Sequence, residues 1–158
     1  KNYFEYLEFL YSDYISDKEL INNINVQIGR FNLQKYPLGG HFKNVHCERD
    51  SVVNMHRIFA WMTYLNDVED GGTTDFDYFK IKVKPERGKT LIWPAEWTHA
   101  HTGSVLKSGS KYIITGWMHL QIKLPFQMFH FSFSAIIINI TTLQVTVSLI
   151  CIIRCSSM

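Results

Sequence analysis

Charge is what this sequence is shortest of: Asp, Glu, Lys and Arg make up 19% of its 158 residues, and none occurs between residues 124 and 153. The charges present nearly cancel, to +2, so neither nucleic acid nor an anionic membrane surface finds a complementary field. Cysteine is also scarce. Cys47, Cys151 and Cys155 are odd in number and form no CxxC pair, which argues against a disulfide framework or a zinc knuckle and for a reducing, cytoplasmic setting. The chain lacks an initiator Met and a basic, apolar leader, and reads as if cut from a longer one.

The uncharged stretch also sets off two regions, residues 1–120 and an apolar tail over residues 121–158. The tail's β-branched runs are broken by Asn139, Thr141, Thr142 and Gln144. A membrane span, an added pair of strands and a segment that is not native coding sequence are three readings of it. The expectation carried forward is a tail without a catalytic role.

Apolar residues, at 46%, supply one core, and the length suits one ordinary domain. Tyr3, Phe4, Leu7, Leu10 and Tyr11 recur at helical spacing, and Ser16 with Glu19 fits the cap of a second short helix. From residue 26 the texture changes to short β-rich runs, at 26–31, 40–48, 58–65, 79–83, 90–93 and 111–117. Segments rich in turn formers separate them, at 37–40, 66–72, 84–88 and 107–109. Many short strands without intervening helices predict a mainly β fold, an antiparallel sandwich or barrel behind an N-terminal helix.

Seven histidines in so short a chain invite a metal. A His-x-acid triplet arises about 0.6 times per chain by chance at this composition, so His46-Cys47-Glu48 alone carries little. Placement carries more: on a strand His46 and Glu48 share one face and Cys47 takes the other. A histidine from a distant strand would then complete two imidazoles and a carboxylate on one face of an octahedron, a set suited to Fe(II) with three positions left open. His99 and His101 both qualify. His41, His56, His119 and His130 have no partner at ligand spacing and read as surface or core residues.

The segment Tyr36-Pro-Leu-Gly-Gly-His-Phe-Lys-Asn-Val-His46-Cys-Glu48 resembles the first metal-binding strand of the prolyl 4-hydroxylase-like 2-oxoglutarate/Fe(II) oxygenases. Tyr64-Leu-Asn-Asp-Val-Glu-Asp-Gly-Gly-Thr resembles the strand and turn that follow it. Trp93-Pro94-Ala95 and Gly109-Ser-Lys111-Tyr-Ile-Ile-Thr115-Gly-Trp117 resemble that family's closing strands. The likeness runs in order over about residues 26–118. It implies a double-stranded β-helix (jelly roll), with iron between two sheets held by His46, Glu48 and His101. His101 is chosen because the family's distal ligand stands about ten residues before the basic residue that binds 2-oxoglutarate, here Lys111. His99 then becomes a pocket residue or a support for the ligands.

The resemblance further implies Fe(II), 2-oxoglutarate and O2 as cofactors, with ascorbate as reductant. Hydroxylation of a C–H bond, that of a peptidyl proline among the candidates, would release succinate and CO2. Lys111, an inward-facing cation among Tyr, Ile and Trp, is costly to bury unless paired, and the far carboxylate of 2-oxoglutarate is its natural partner. Thr115 shares its face and is expected to donate to the same carboxylate. Tyr36 and Tyr64 match positions that line the cosubstrate pocket, and Trp117 is expected to pack. One position departs from the family: Glu48 stands where Asp is usual, and its extra methylene moves the oxygen by about 1.5 Å. Two rival readings follow, an inactive metal-binding jelly roll and a membrane-anchored interaction protein that uses the tail.

Overall fold

The computed structural model describes residues 2–19 and 24–121. Helix α1 (Tyr3–Ile15) opens with Asn2, whose side chain accepts from the Glu5 backbone N–H at 3.0 Å, satisfying one of the donors a helix start leaves free. It closes at Ser16, whose hydroxyl donates to the Asp13 carbonyl at 2.8 Å. Ser16 therefore ends this helix. The expected second helix runs onto residues 20–23, and the tail onto residues 122–158; both lie outside the described residues.

Among the described residues seven strands follow: β1 (Val26–Tyr36), β2 (Arg57–Tyr64), β3 (Thr74–Phe76), β4 (Ile81–Val83), β5 (Thr90–Pro94), β6 (His101–Gly103) and β7 (Lys111–Leu120). They form two antiparallel sheets, a four-stranded one ordered β1-β7-β2-β5 and a three-stranded one ordered β4-β3-β6. A single bridge, His46↔His101, adds the chain around residue 46 to the free side of β6. The two sheets make the jelly roll.

Strand β2 shows why both of its faces are apolar. Ala60, Met62 and Tyr64 point between the sheets, where they meet Phe76, Trp93 and Ile113. Phe59 and Trp61 point the other way, onto Leu7 of α1 and Met118 of β7. The helix thus covers the face of the large sheet that an antiparallel sheet otherwise turns to water. Thr63, on that same outer face, is hydrogen-bonded to the Tyr3 hydroxyl at 2.8 Å. Among the described residues no helix is long and apolar enough to cross a membrane.

The strand expected at 40–48 does not form as a ladder. The turn at 37–40 closes with Gly40 donating to the Pro37 carbonyl at 2.8 Å and Gly39 at φ 79°, a conformation glycine adopts without a steric penalty. The chain then follows β6 through scattered bonds, Gly103 N–H to the Phe42 carbonyl at 2.9 Å and the His46–His101 pair, before turning away. Strands β3 and β6 were not expected. At three residues each they are too short to display an alternation. Strand β1 runs to Tyr36 because its partner β7 continues to Lys111 opposite it.

Candidate metal centre

His46 and His101 meet because their backbones pair. The His46 N–H donates to the His101 carbonyl at 3.1 Å and the His101 N–H to the His46 carbonyl at 2.9 Å, which sets the two rings 4.3 Å apart. Glu48 does not reach them along a strand, as strand periodicity predicted. The chain bends past residue 47, and the Arg49 N–H is anchored on the Ala95 carbonyl at 3.0 Å. Arg57 donates to the Glu48 carbonyl at 3.1 Å.

The result is a cluster whose donor atoms all lie within 4.8 Å of one another. Glu48 Oε1 is 3.6 Å from His46 Nε2 and 3.6 Å from His101 Nε2. Neighbouring octahedral ligands about 2.1 Å from a metal sit roughly 3 Å apart, so a small inward movement would bring the set to the spacing of metal ligands. The imidazoles are oriented for it. His46 Nδ1 faces the Asn44 carbonyl at 3.1 Å and His101 Nδ1 the His99 carbonyl at 3.0 Å. Carbonyls only accept, so each Nδ1 carries the proton and each Nε2 offers its lone pair inward. His99 contributes that carbonyl, while its ring lies against Phe79, centroids 4.8 Å apart.

Protonation fits the same picture. Burial works against charge on all three groups. For His101 it prevails and lowers the imidazole's pKa; for His46 the Glu48 carboxylate and the Asn44 carbonyl overcome it and raise the pKa. Burial would raise the Glu48 pKa, but the adjacent His46 imidazole, the Trp117 indole N–H and the nearby His101 outweigh it and lower the pKa. Trp117 was expected only to pack. Its Nε1–H donates to Glu48 Oε2 at 2.6 Å, and the Arg57 guanidinium lies over its ring at 3.9 Å. Buried indole N–H groups usually find acceptors, but Glu48 lies 69 residues away along the chain, so the sequence did not show this one.

A cavity of about 230 Å³ joins this cluster to Lys111. Lys111 is 4% exposed and stands opposite Tyr36 in the β1–β7 ladder, its Nζ 4.7 Å above the Tyr36 ring. The expectation of a cation without a protein partner is corrected: Nζ donates to the Gly72 carbonyl at 2.8 Å. That partner is neutral. Asp75 pairs with Lys82 at 3.0 Å. Burial, only partly offset by Asp75, depresses the ammonium from 10.5 to about 8. Gly72, at φ 66°, permits the approach, because a Cβ there would stand 2.8 Å from Leu106 and 3.4 Å from the Lys111 chain.

The remaining expected pocket residues divide. Tyr36 lines the cavity, its hydroxyl donating to Gln34 at 2.7 Å. Thr115 also lines it, but its one hydroxyl proton goes to the Trp61 carbonyl at 2.8 Å, so the expected donation to a cosubstrate carboxylate does not match this arrangement. Tyr64 is placed in the core, fully buried, its hydroxyl 2.6 Å from that of Thr74. Burial pushes that phenol up to about 12, and it stays neutral, away from the cavity lining.

Residues 31–119 match the 2OG-Fe(II) oxygenase superfamily. The chain is similar to prolyl 4-hydroxylase subunit alpha-1 of Gallus gallus, 27% identical over 71 residues, which is 40% of this chain and 14% of that one. It is also similar to probable prolyl 4-hydroxylase 9 of Arabidopsis thaliana, 27% identical over 117 residues, 58% of this chain and 41% of that one. The chain therefore spans less than half of the curated relatives it matches. Among solved structures, the viral collagen prolyl hydroxylase of Paramecium Bursaria Chlorella virus-1, in its 2OG complex, has a TM-score of 0.60 at 21% identity, covering 73% of this chain and 72% of its own. The prolyl hydroxylase of Trichoplax adhaerens, solved with a hypoxia inducible factor peptide fragment, has a TM-score of 0.52 at 19% identity over 72% of this chain and 56% of its own. These two likenesses establish the fold.

Proposed function

As the chain belongs to the 2OG-Fe(II) oxygenase superfamily, we propose that it is an Fe(II)- and 2-oxoglutarate-dependent dioxygenase that hydroxylates a C–H bond of a peptide, a prolyl residue being the first substrate to test. The observation that carries this reading is the placement of two opposite demands on one cavity. His46, Glu48 and His101 point three donors at one end, and Lys111 holds a buried, poorly paired cation at the other. A dicarboxylic keto acid answers both.

His46 Nε2, His101 Nε2 and Glu48 Oε1 would hold the iron, each ring's tautomer fixed by the bond from its Nδ1–H to a backbone carbonyl. When bound, iron supplies the activation of O2 that couples loss of CO2 from 2-oxoglutarate, leaving succinate, to insertion of one oxygen atom into the C–H bond. Lys111 would take the far carboxylate in a charge-assisted contact, exchanging the Gly72 carbonyl for a charged partner. Tyr36, Met62 and Ile113 also line the cavity and would offer the cosubstrate's methylenes an apolar wall. Phe76 and Trp93 pack against the His101 ring, centroids 5.5 and 5.1 Å away, and exclude water from that side. The preference for peptidyl proline rests on the names of the similar hydroxylases.

We assign this activity to residues 1–120, since the described chain to Gln121 closes as one compact unit. The test is succinate release with Fe(II), ascorbate and 2-oxoglutarate, against a panel of proline-containing peptides, free amino acids and nucleosides. Turnover stimulated by a peptide supports the reading. Metal binding without succinate in any condition would replace it with the inactive metal-binding jelly roll.

A further inference from the structure

The hydroxyls on the inner face of the cavity are already spent. Tyr36 donates to Gln34 at 2.7 Å and Thr115 to the Trp61 carbonyl at 2.8 Å. Tyr64 gives its proton to the Val83 carbonyl at 3.3 Å, so Thr74 donates to Tyr64 at 2.6 Å. Thr102 pairs with Asp75, on the face of β6 opposite to that of His101. Gln34 differs. Its Oε1 is taken by the Tyr36 hydroxyl, and among the described residues nothing accepts from its Nε2, which carries two N–H groups. Gln34 is half-buried and lines the cavity. It stands opposite Ile113 in the β1–β7 ladder, one inward-facing pair from Tyr36 and Lys111, about 7 Å along the strand. The next inward pair is Asn32 and Thr115, and beyond it comes Trp117, which donates to Glu48. Gln34 therefore lies between the cation and the ligand cluster. The Tyr36 ring lies under Lys111 Nζ at 4.7 Å, which leaves the Gln34 amide one hydrogen bond from the aromatic wall of that cation.

We propose that Gln34 binds the far carboxylate of the cosubstrate, its amide nitrogen donating to the group that Lys111 neutralises. The proposal deepens the dioxygenase reading and rests on it for the identity of the ligand. Lys111 supplies charge and Gln34 supplies direction. An ammonium on a flexible stem acts as a point charge, whereas a planar amide held at its oxygen has a fixed donor axis. Tyr36 sets the sense of that amide, because a hydroxyl that donates to Oε1 leaves Nε2 as the end turned away from it. Donation from Gln34 also leaves no other protein group unpaired, while Thr115 would have to abandon the Trp61 carbonyl, a costly exchange for a sheltered acceptor.

The test is calorimetric titration with 2-oxoglutarate of protein loaded with Zn(II), which the same donor types hold. Q34M keeps the length of the side chain and removes the donor. It should bind 2-oxoglutarate roughly ten- to a hundredfold more weakly, with Zn(II) affinity and unfolding temperature close to wild type. Y36F frees the amide oxygen and keeps the ring under Lys111, so its loss should be clearly smaller. Wild-type affinity in Q34M overturns the proposal. An equal loss in Y36F overturns it too, since Gln34 would then act only by holding Tyr36. Should Q34M fail to fold, the wild type carries the test by NMR. The side-chain amide with Overhauser contacts to the Tyr36 ring should shift downfield when 2-oxoglutarate binds, and an unmoved signal overturns the proposal. Succinate release by the Fe(II)-loaded wild type separates the two readings. 2-Oxoglutarate binding with the expected Gln34 dependence but no turnover sinks the dioxygenase reading alone. Turnover with wild-type affinity in Q34M sinks this one alone, and a wild type that binds no 2-oxoglutarate sinks both.

Discussion

Trp93 and Trp117 flank Ala60 in one row across the four-stranded sheet, each paired with it from a neighbouring strand. Trp93 turns its edge to the His101 ring, centroids 5.1 Å apart at 80°, and Trp117 donates to Glu48. One row of the sheet therefore supports two of the three candidate ligands. The small residue between the indoles, 1% exposed, lets both rings lie across the inner face.

Ala60→Leu should break that row. A larger side chain in a close-packed site costs about 1–3 kcal/mol, and here relief comes by pushing an indole aside. The expected outcome is a lower unfolding temperature together with weaker Co(II) binding. A variant that loses stability and keeps its metal affinity would show that the row does not support the ligands.

Glu48 is where the chain leaves the resembled pattern, and its Oε2 accepts the Trp117 indole N–H at 2.6 Å while Oε1 faces both imidazoles. Glu48→Asp should lower both iron affinity and succinate formation. Glu48→Ala should lower them further, since two neutral imidazoles alone leave the metal's charge uncompensated. Comparing the three proteins at matched Fe(II) decides the point. An aspartate variant more active than wild type would mean that the glutamate is a defect.

Lys111→Ala should raise the 2-oxoglutarate requirement strongly. Losing a buried partner for a charged ligand typically costs about 2–5 kcal/mol, roughly thirtyfold to several thousandfold in affinity. Lys111→Arg should be milder, because the guanidinium keeps the charge in a bulkier form. Unchanged 2-oxoglutarate dependence in the alanine variant would remove Lys111 from the site.

The same lysine gives a pH dependence whose two signs differ. Its ammonium titrates at about 8 in the folded protein against an ordinary 10.5, so between those values the unfolded chain holds more protons and this residue's contribution to stability rises with pH. Binding of 2-oxoglutarate runs the other way, since it needs the charged form. Affinity should hold below about pH 8 and then fall, approaching tenfold per pH unit. Lys111→Arg should flatten that fall. Calorimetric titration of both proteins across this range checks it, and a wild type whose affinity does not drop on the alkaline side contradicts the role.

How much of this was legible beforehand depended on whether a feature is local. The helix over residues 3–15 announced itself in the spacing of Leu7 and its neighbours, and β2, β5 and β7 in runs of apolar and aromatic residues, because periodicity is written residue by residue. His46, Glu48, His101 and Lys111 stood out as residue types in an order that resembled a known pattern. Chemistry of that kind survives in one dimension. The strand expected at 40–48 did not survive, since whether a polar segment pairs depends on a neighbour, and β6 offers it only a single bridge. The roles of Tyr64, Thr115 and Trp117 were beyond reach for the same reason. Each carries one polar group, and its partner lies on another strand or in the bent chain after His46: Thr74 for Tyr64, the Trp61 carbonyl for Thr115, Glu48 Oε2 for Trp117. The order of residues determined which donors, acceptors and cations this protein owns. Packing two sheets and a helix around them decided which of those groups satisfy one another and which, like Lys111 and the three inward-facing ligand atoms, are left turned toward the cavity, because a buried polar group takes the nearest partner in space, wherever that partner lies along the chain.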